Sequence, residues 1–416
     1  MANTAPGTAP RPTRLRNATL LATAMLTVMA SAGLAPVLPT LRAHFADVPG
    51  VDVQIRLVLA LPALAIALWS PIAGLLADRV GRLPVLAGSL ALYAVAGTSG
   101  LWAEALPAIL AGRALLGVAV GGVMTAGTAL IADHFEGDAR TRFLGLQAAF
   151  MGYGGVLFLV LGGALAGLGW RGPFAVYGLA LAVLPLVPLA LRAPPRPRVD
   201  LGPAWPEPKP WATLARVYLL VFAGQVVFYL IPAQTPYLLA MRHGADPVRT
   251  ALVIGGAAAV SATVSLRYAA LRARLGFVQL AALSFAVMGA GHLAVSVDAG
   301  MAATLAGLAL AGGGAGIILP NATVWLTTAI TPSLRGRALG ALTTAVFLGQ
   351  FVSPVAAEAV RSDDPHTAFL WAGLLSLGLA AATCAAVRAW AVLPRPARPA
   401  IAPVAVAPEP VAETAG

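Results

Sequence analysis

The chain has 416 residues, of which only 10% are charged, against about 25% in an average soluble domain. With 59% hydrophobic residues, 44 glycines, 33 prolines and a mean hydropathy of +0.84, a soluble globular enzyme and a disordered chain are excluded, and the single Cys384 excludes a disulfide scaffold. The net charge of +11 does not point to nucleic acid, because the arginines sit in short gaps between apolar runs and not in a stripe with interleaved aromatics.

A helix needs about 20 apolar residues to cross a bilayer core of roughly 30 Å. Residues 1–16 are rich in proline and alanine and read as a disordered cytoplasmic N-terminus. Six apolar runs follow, over 17–38, 54–76, 83–102, 106–132, 143–165 and 172–191, giving an N-terminal bundle over 17–191. Residues 192–213 carry prolines and charges and read as a cytoplasmic linker, and the sole lysine, Lys209, lies there, so no membrane lysine is present for a retinal-type Schiff base. A second bundle over 214–392 has runs at 214–240, 248–268, 277–297, 301–330, 338–358 and 368–392. Residues 393–416 read as a disordered cytoplasmic tail. With the N-terminus inside, twenty Arg and Lys fall on the inner side and six on the outer. The positive-inside rule therefore predicts that both termini are cytoplasmic. Heavy use of Ala and Arg with one Lys suggests bacterial coding and hence a bacterial inner membrane. Ala30-Ser31-Ala32 also resembles a signal-peptide cleavage site, but the internal repeat needs the first run to complete six plus six.

That repeat appears at an offset of 195 residues. It carries Arg140-Thr-Arg142 onto Arg335-Gly-Arg337, Gly112–Gly121 onto Gly307–Gly316, Asp78–Arg82 onto Ala273–Phe277, and Phe174 and Gly178 onto Phe369 and Gly373. An offset spanning six helices preserves direction, so the halves are parallel repeats, an arrangement of transporters that bind near the midplane between halves.

The second run ends Gly74-Leu-Leu-Ala-Asp78-Arg79-Val-Gly81-Arg82. This resembles the signature of the major facilitator superfamily between its second and third helices, G-x-x-x-D-R-x-G-R; Leu83 stands where a basic residue often follows. The resemblance covers nearly the whole chain. It implies an all-α membrane protein with twelve transmembrane helices in two pseudo-symmetric six-helix bundles, and a monomer. It also implies a gate that closes the cytoplasmic side in the outward-facing state, in which Asp78 lies against the start of the eleventh helix, near Arg335 and Arg337. Asp78 sits at a helix C-terminus, where a carboxylate opposes the dipole and needs a partner. Arg79 and Arg82 need acids, and Asp133 is the nearest candidate. An ordinary turn with solvated charges is the alternative.

Arg113 lies about 10 Å into the fourth run. With Gly117 it resembles the family's R-x-x-x-G motif, which implies a part in proton coupling; snorkelling to the interface is the alternative. In the fifth run Gly145, Gly154, Gly162 and Gly163 match an antiporter spacing, but Phe158 and Leu159 replace its Gly-Pro pair. The pairs Gly117/Gly121 and Gly312/Gly316 read as packing surfaces.

None of the sixteen acids falls at a predicted midplane. Coupling is left to a peripheral acid such as Asp133 or Glu358, to His292, or to uniport. Neutral polar groups supply the candidate cavity: Thr27, Tyr153, Gln225, Tyr229, Gln234, Asn321 and Gln350. Asn321 follows Pro320, which is expected to break its helix, and helix–helix hydrogen bonds compete with substrate contact for each residue. As a set they suit a neutral or amphiphilic solute. No P-loop, His-Glu-x-x-His or Gly-x-Ser-x-Gly pattern occurs, so no enzyme, cofactor or metal is expected. The expected function is export of small organic molecules coupled to protons, with metabolite uptake by symport or uniport, or a non-transporting sensor or scaffold, as alternatives.

Overall fold

The computed structural model describes residues 13–191, 211–330, 335–359 and 365–391. The proposed linker beyond Leu191 up to residue 210, residues 1–12, and the tail from 392 lie outside them. The described residues form twelve helical segments long and apolar enough to cross a membrane. In chain order the spans are Arg14–His44, Val51–Val80, Arg82–Trp102, Leu106–His134, Arg142–Leu168 and Gly172–Ala190, then Trp211–His243, Pro247–Leu266, Phe277–Ser296, Met301–Ala329, Arg335–Glu358 and His366–Ala385. Every expected run is one of these spans.

The repeat is visible in the packing as well as in the sequence. In the fourth span Gly117 lies so close to the second that an added Cβ would be 2.4 Å from the Pro62 carbonyl oxygen. In the tenth span Gly312 stands in the same relation to Ala257 of the eighth, at 2.3 Å. Both partners differ by the same 195 positions. The chain also breaks at equivalent places. The first span leaves its helix after Ala32 and passes through a 3-10 turn at Ala35–Val37, capped by Leu34. The seventh breaks at Tyr229, between helices Trp211–Phe228 and Leu230–His243, where Pro232 cannot donate to the Phe228 carbonyl. Leu34 and Tyr229 are again 195 apart.

Pro320 does not break its helix, contrary to expectation. The tenth span runs unbroken from Met301 to Ala329. The carbonyl that Pro320 leaves without a donor is that of Gly316, and the Ser265 hydroxyl donates to it at 2.6 Å. A neighbouring side chain thus restores the hydrogen bond that the proline removes.

The two halves meet through the second and eleventh spans and through the fifth and eighth. They are closed at the end that holds Arg56, where Arg56 of the second span pairs with Glu358 of the eleventh at 2.6 Å. At the opposite end, which holds Arg82, Asp78, Arg79, Arg335 and Arg337 are exposed. An added Cβ at Gly145, Gly336 or Gly340 would meet nothing within 4 Å. The molecule is therefore shut at the Arg56 end and open at the Arg82 end.

Candidate functional site

The turn between the second and third spans is built on Gly81, whose φ of 112° is a conformation that a side chain strains. Gly74 faces the Thr125 methyl at 3.6 Å, from an added Cβ. Arg82 pairs with Asp133 at the end of the fourth span and donates to the Ala129 carbonyl at 3.1 Å. The expected Arg82–Asp133 pairing is therefore present. Asp78 and Arg79 are exposed and make no ion pair or hydrogen bond among the described residues. Arg335 turns instead to the tenth span, donating from Nε to the Thr327 carbonyl at 3.2 Å. The structure thus brings Arg82 and Asp133 together but leaves Asp78 apart from Arg335 and Arg337.

Arg113 does not snorkel. It is fully buried, and three neutral acceptors hold it. Nε donates to the Val58 carbonyl at 2.8 Å, Nη1 to the Tyr177 hydroxyl at 2.9 Å, and Nη2 to the Ala30 carbonyl. Each carbonyl is available for a local reason. Val58 lies four residues before Pro62, which has no N–H to give it. Ala30 lies in the last turn of its helix, whose carbonyls lack intrahelical donors. Tyr93 packs beside Tyr177, with ring centroids 5.9 Å apart, and donates to the Leu26 carbonyl at 2.7 Å. Arg113 thus ties the fourth span to the first, second and sixth, and Tyr93 adds the third through Tyr177.

The cavity candidates divide. Thr27 lines a cavity of about 120 Å³ between the first, fourth and fifth spans. Thr23, Thr128, Gln147 and Met151 line it too, residues that sequence reasoning missed; the i, i+4 spacing of Thr23 and Thr27 was the available signal. Gln350 donates from Nε2 to Gln225 Oε1 at 3.2 Å. Asn321 is held by helix contacts, donating to the Phe277 carbonyl at 2.8 Å and accepting from the Tyr268 hydroxyl at 3.3 Å. Tyr229 and Gln234 are buried, whereas Tyr153 is 58% exposed. His292 is buried in the C-terminal half against Phe369, with Nδ1 2.7 Å from the Met288 carbonyl oxygen. Among the described residues no group of three or more His, Cys, Asp or Glu is arranged to hold a metal.

Comparison with known proteins is consistent along the chain. The family pattern of the Major Facilitator Superfamily matches residues 20–354. The tetracycline resistance protein, class C, of Escherichia coli is 30% identical over 85% of this chain and 91% of its own length. The 3-(3-hydroxy-phenyl)propionate transporter of Escherichia coli strain K12 is 27% identical over 74% of this chain and 79% of its own. Among solved structures, a bacterial homologue of the human lysosomal transporter Spinster, in an inward-facing and occupied conformation, superposes with a TM-score of 0.76 at 16% identity. That match covers 92% of this chain and 98% of the other. A D-xylose–proton symporter gives 0.73 at 15% identity, over 89% of this chain and 97% of the other. The chain belongs to the major facilitator superfamily and is a multi-pass membrane transporter, not an enzyme.

Proposed function

We propose that the protein exports small organic molecules across the bacterial inner membrane by alternating access, driven by the proton gradient. The observation that carries this reading is the similarity over 85% of the chain to a tetracycline resistance protein; a class G relative of Vibrio anguillarum is 30% identical over 81%. The bias of arginines supports a cytoplasmic location for both termini and the Arg82 end. The conformation is then inward-facing, with the 120 Å³ cavity at Thr27 as part of the substrate path. Its lining is neutral, which suits an uncharged or amphiphilic solute. Gly74, Asp78, Arg79, Gly81, Arg82 and Asp133, with Arg335 and Arg337, form the cytoplasmic gate. Asp78 reaches the eleventh span only when that gate closes, and Arg113 supports coupling. The chain works as a monomer.

The test is compound accumulation in an efflux-deficient bacterial host. Wild type should lower accumulation of some compounds, and a protonophore should abolish the effect. A silent panel, or a rise in uptake, would favour the second reading, metabolite import, which similarity to the hydroxyphenylpropionate transporter supports. Cysteine labelling tests the orientation: a cysteine at His243 should react from outside intact cells, and one at Arg140 should not.

A further inference from the structure

At the Arg56 end the halves meet through two contacts that the repeat makes equivalent. The offset of 195 carries Arg56 onto Ala251 and Gly163 onto Glu358. One contact is the pair Arg56 Nη2 to Glu358 Oε2 at 2.6 Å. The other sets Ala251 of the eighth span against Gly163 of the fifth. A Cβ added to Gly163 would lie 2.5 Å from the Ala251 Cβ and 3.0 Å from the Pro247 carbonyl oxygen. The same place in the fold therefore carries two chemistries.

The Gly163 contact is one of shape, and a gap of about 0.5–1 Å already forfeits roughly a quarter to a half of its dispersion attraction. The Arg56–Glu358 contact is ionic, and both side chains are about one-fifth exposed, at 22% and 21%. At that depth water screens the pair only partly, and each ion can regain its hydration when the helices part. Tyr237 of the seventh span lies within electrostatic reach of both, and also of Arg42 and Asp52, which pair at 2.5 Å. This end is thus ringed by charges from the first, second and eleventh spans.

We propose that the Arg56–Glu358 pair is an electrostatic latch that holds the Arg56 end shut, and that Gly163 against Ala251 is the uncharged seat on which the opposite side closes. The inference rests on the alternating-access reading above. A pair one-fifth exposed biases the two forms without locking either, which a carrier that must cycle requires.

The test uses the full chain in lipid nanodiscs with Cys384 replaced by serine. One pair of spin labels at Val53 and Met241 reports the Arg56 end, and a second pair at Val80 and Leu266 reports the Arg82 end; all four residues are exposed. Glu358→Gln should raise the fraction open at the Arg56 end by about fivefold and shorten the distances at the other end. Arg56→Gln, a second variant in case the first does not fold, should do the same. The exchanged pair, Arg56→Glu with Glu358→Arg, should return the wild-type ratio. Unchanged distances in the single variants, or an exchanged pair that behaves like them, would overturn the latch. The distances are read without substrate, which separates this outcome from the larger reading. If wild type samples both forms and the variants do not shift their ratio, only the latch fails. A wild type that rests with the Arg56 end open overturns the latch, and leaves alternating access to be judged by transport.

Discussion

Arg113 shows how one buried cation is kept without a carboxylate. The price of bringing a guanidinium into the bundle is offset by acceptors that would otherwise be orphans: the Val58 carbonyl below Pro62 and the Ala30 carbonyl at a helix end. Arg113→Leu should leave both unsatisfied, at about 1–3 kcal/mol each, and lower the thermal midpoint in detergent well below that of wild type. Tyr177→Phe keeps the ring against Gly97 and removes the hydroxyl that accepts from the buried guanidinium, so its cost should be about 1.5–3 kcal/mol. Transport by Arg113→Lys separates scaffold from coupling. A flattened pH profile in a folded variant supports coupling, while a wild-type profile leaves Arg113 as a staple. The sequence shows an arginine inside an apolar run and hence its importance. It does not show the partners, which lie 55, 64 and 83 positions away. Nothing local to Arg113 indicates that Pro62 has freed a carbonyl for it.

At the scale of elements, hydrophobic run length found all twelve spans, because a span is a local property of about 20 residues. The interruptions were less legible. A proline can end a helix or sit within it, and the outcome depends on whether a neighbour satisfies the freed carbonyl. Ser265 does so for Gly316, and the tenth span continues. The sixth span, with Pro173, Pro185 and Pro188, is instead a 3-10 segment followed by two short helices. Ser265→Ala should therefore destabilise the C-terminal half by about 1 kcal/mol, more than an exposed serine would; thermal unfolding against Ser265→Thr, which keeps the hydroxyl, checks this. Gly163 gives a sharper element-level expectation. A leucine there cannot fit against Pro247 and Ala251. Gly163→Leu should prop the Arg56 end apart and abolish transport while expression and helix content stay normal. Full transport by this variant would show that the fifth and eighth spans need not close.

The whole molecule is a near-repeat, and the charges proposed above to act in transport are departures from its symmetry. Arg113 has Leu308 as its counterpart, Asp78 has Ala273, and the pair Arg56–Glu358 has Ala251 and Gly163. Each departure places charge on one side of an otherwise equivalent arrangement. The offset was readable in the sequence; the pairing of Arg56 with Glu358 became readable only once the spans were in place, because the residues are far apart in the chain. These departures predict opposed effects on one equilibrium. Asp78 is exposed and makes no ion pair among the described residues, so under the gate proposed above its stabilising contact belongs to the form with the Arg82 end closed. Asp78→Asn removes that contact, should favour the form open at the Arg82 end, and should cut transport with expression intact. Glu358→Gln removes a contact of the present form and should favour the other. Distant sites add, so the double variant should return towards the wild-type ratio of forms. Its transport should exceed that of Asp78→Asn alone. Spin-label distances at both ends read the ratio directly. If the double variant is no nearer wild type than Asp78→Asn, the two ends are not weights on one balance, and the gate assigned to Asp78 acts by some means other than population.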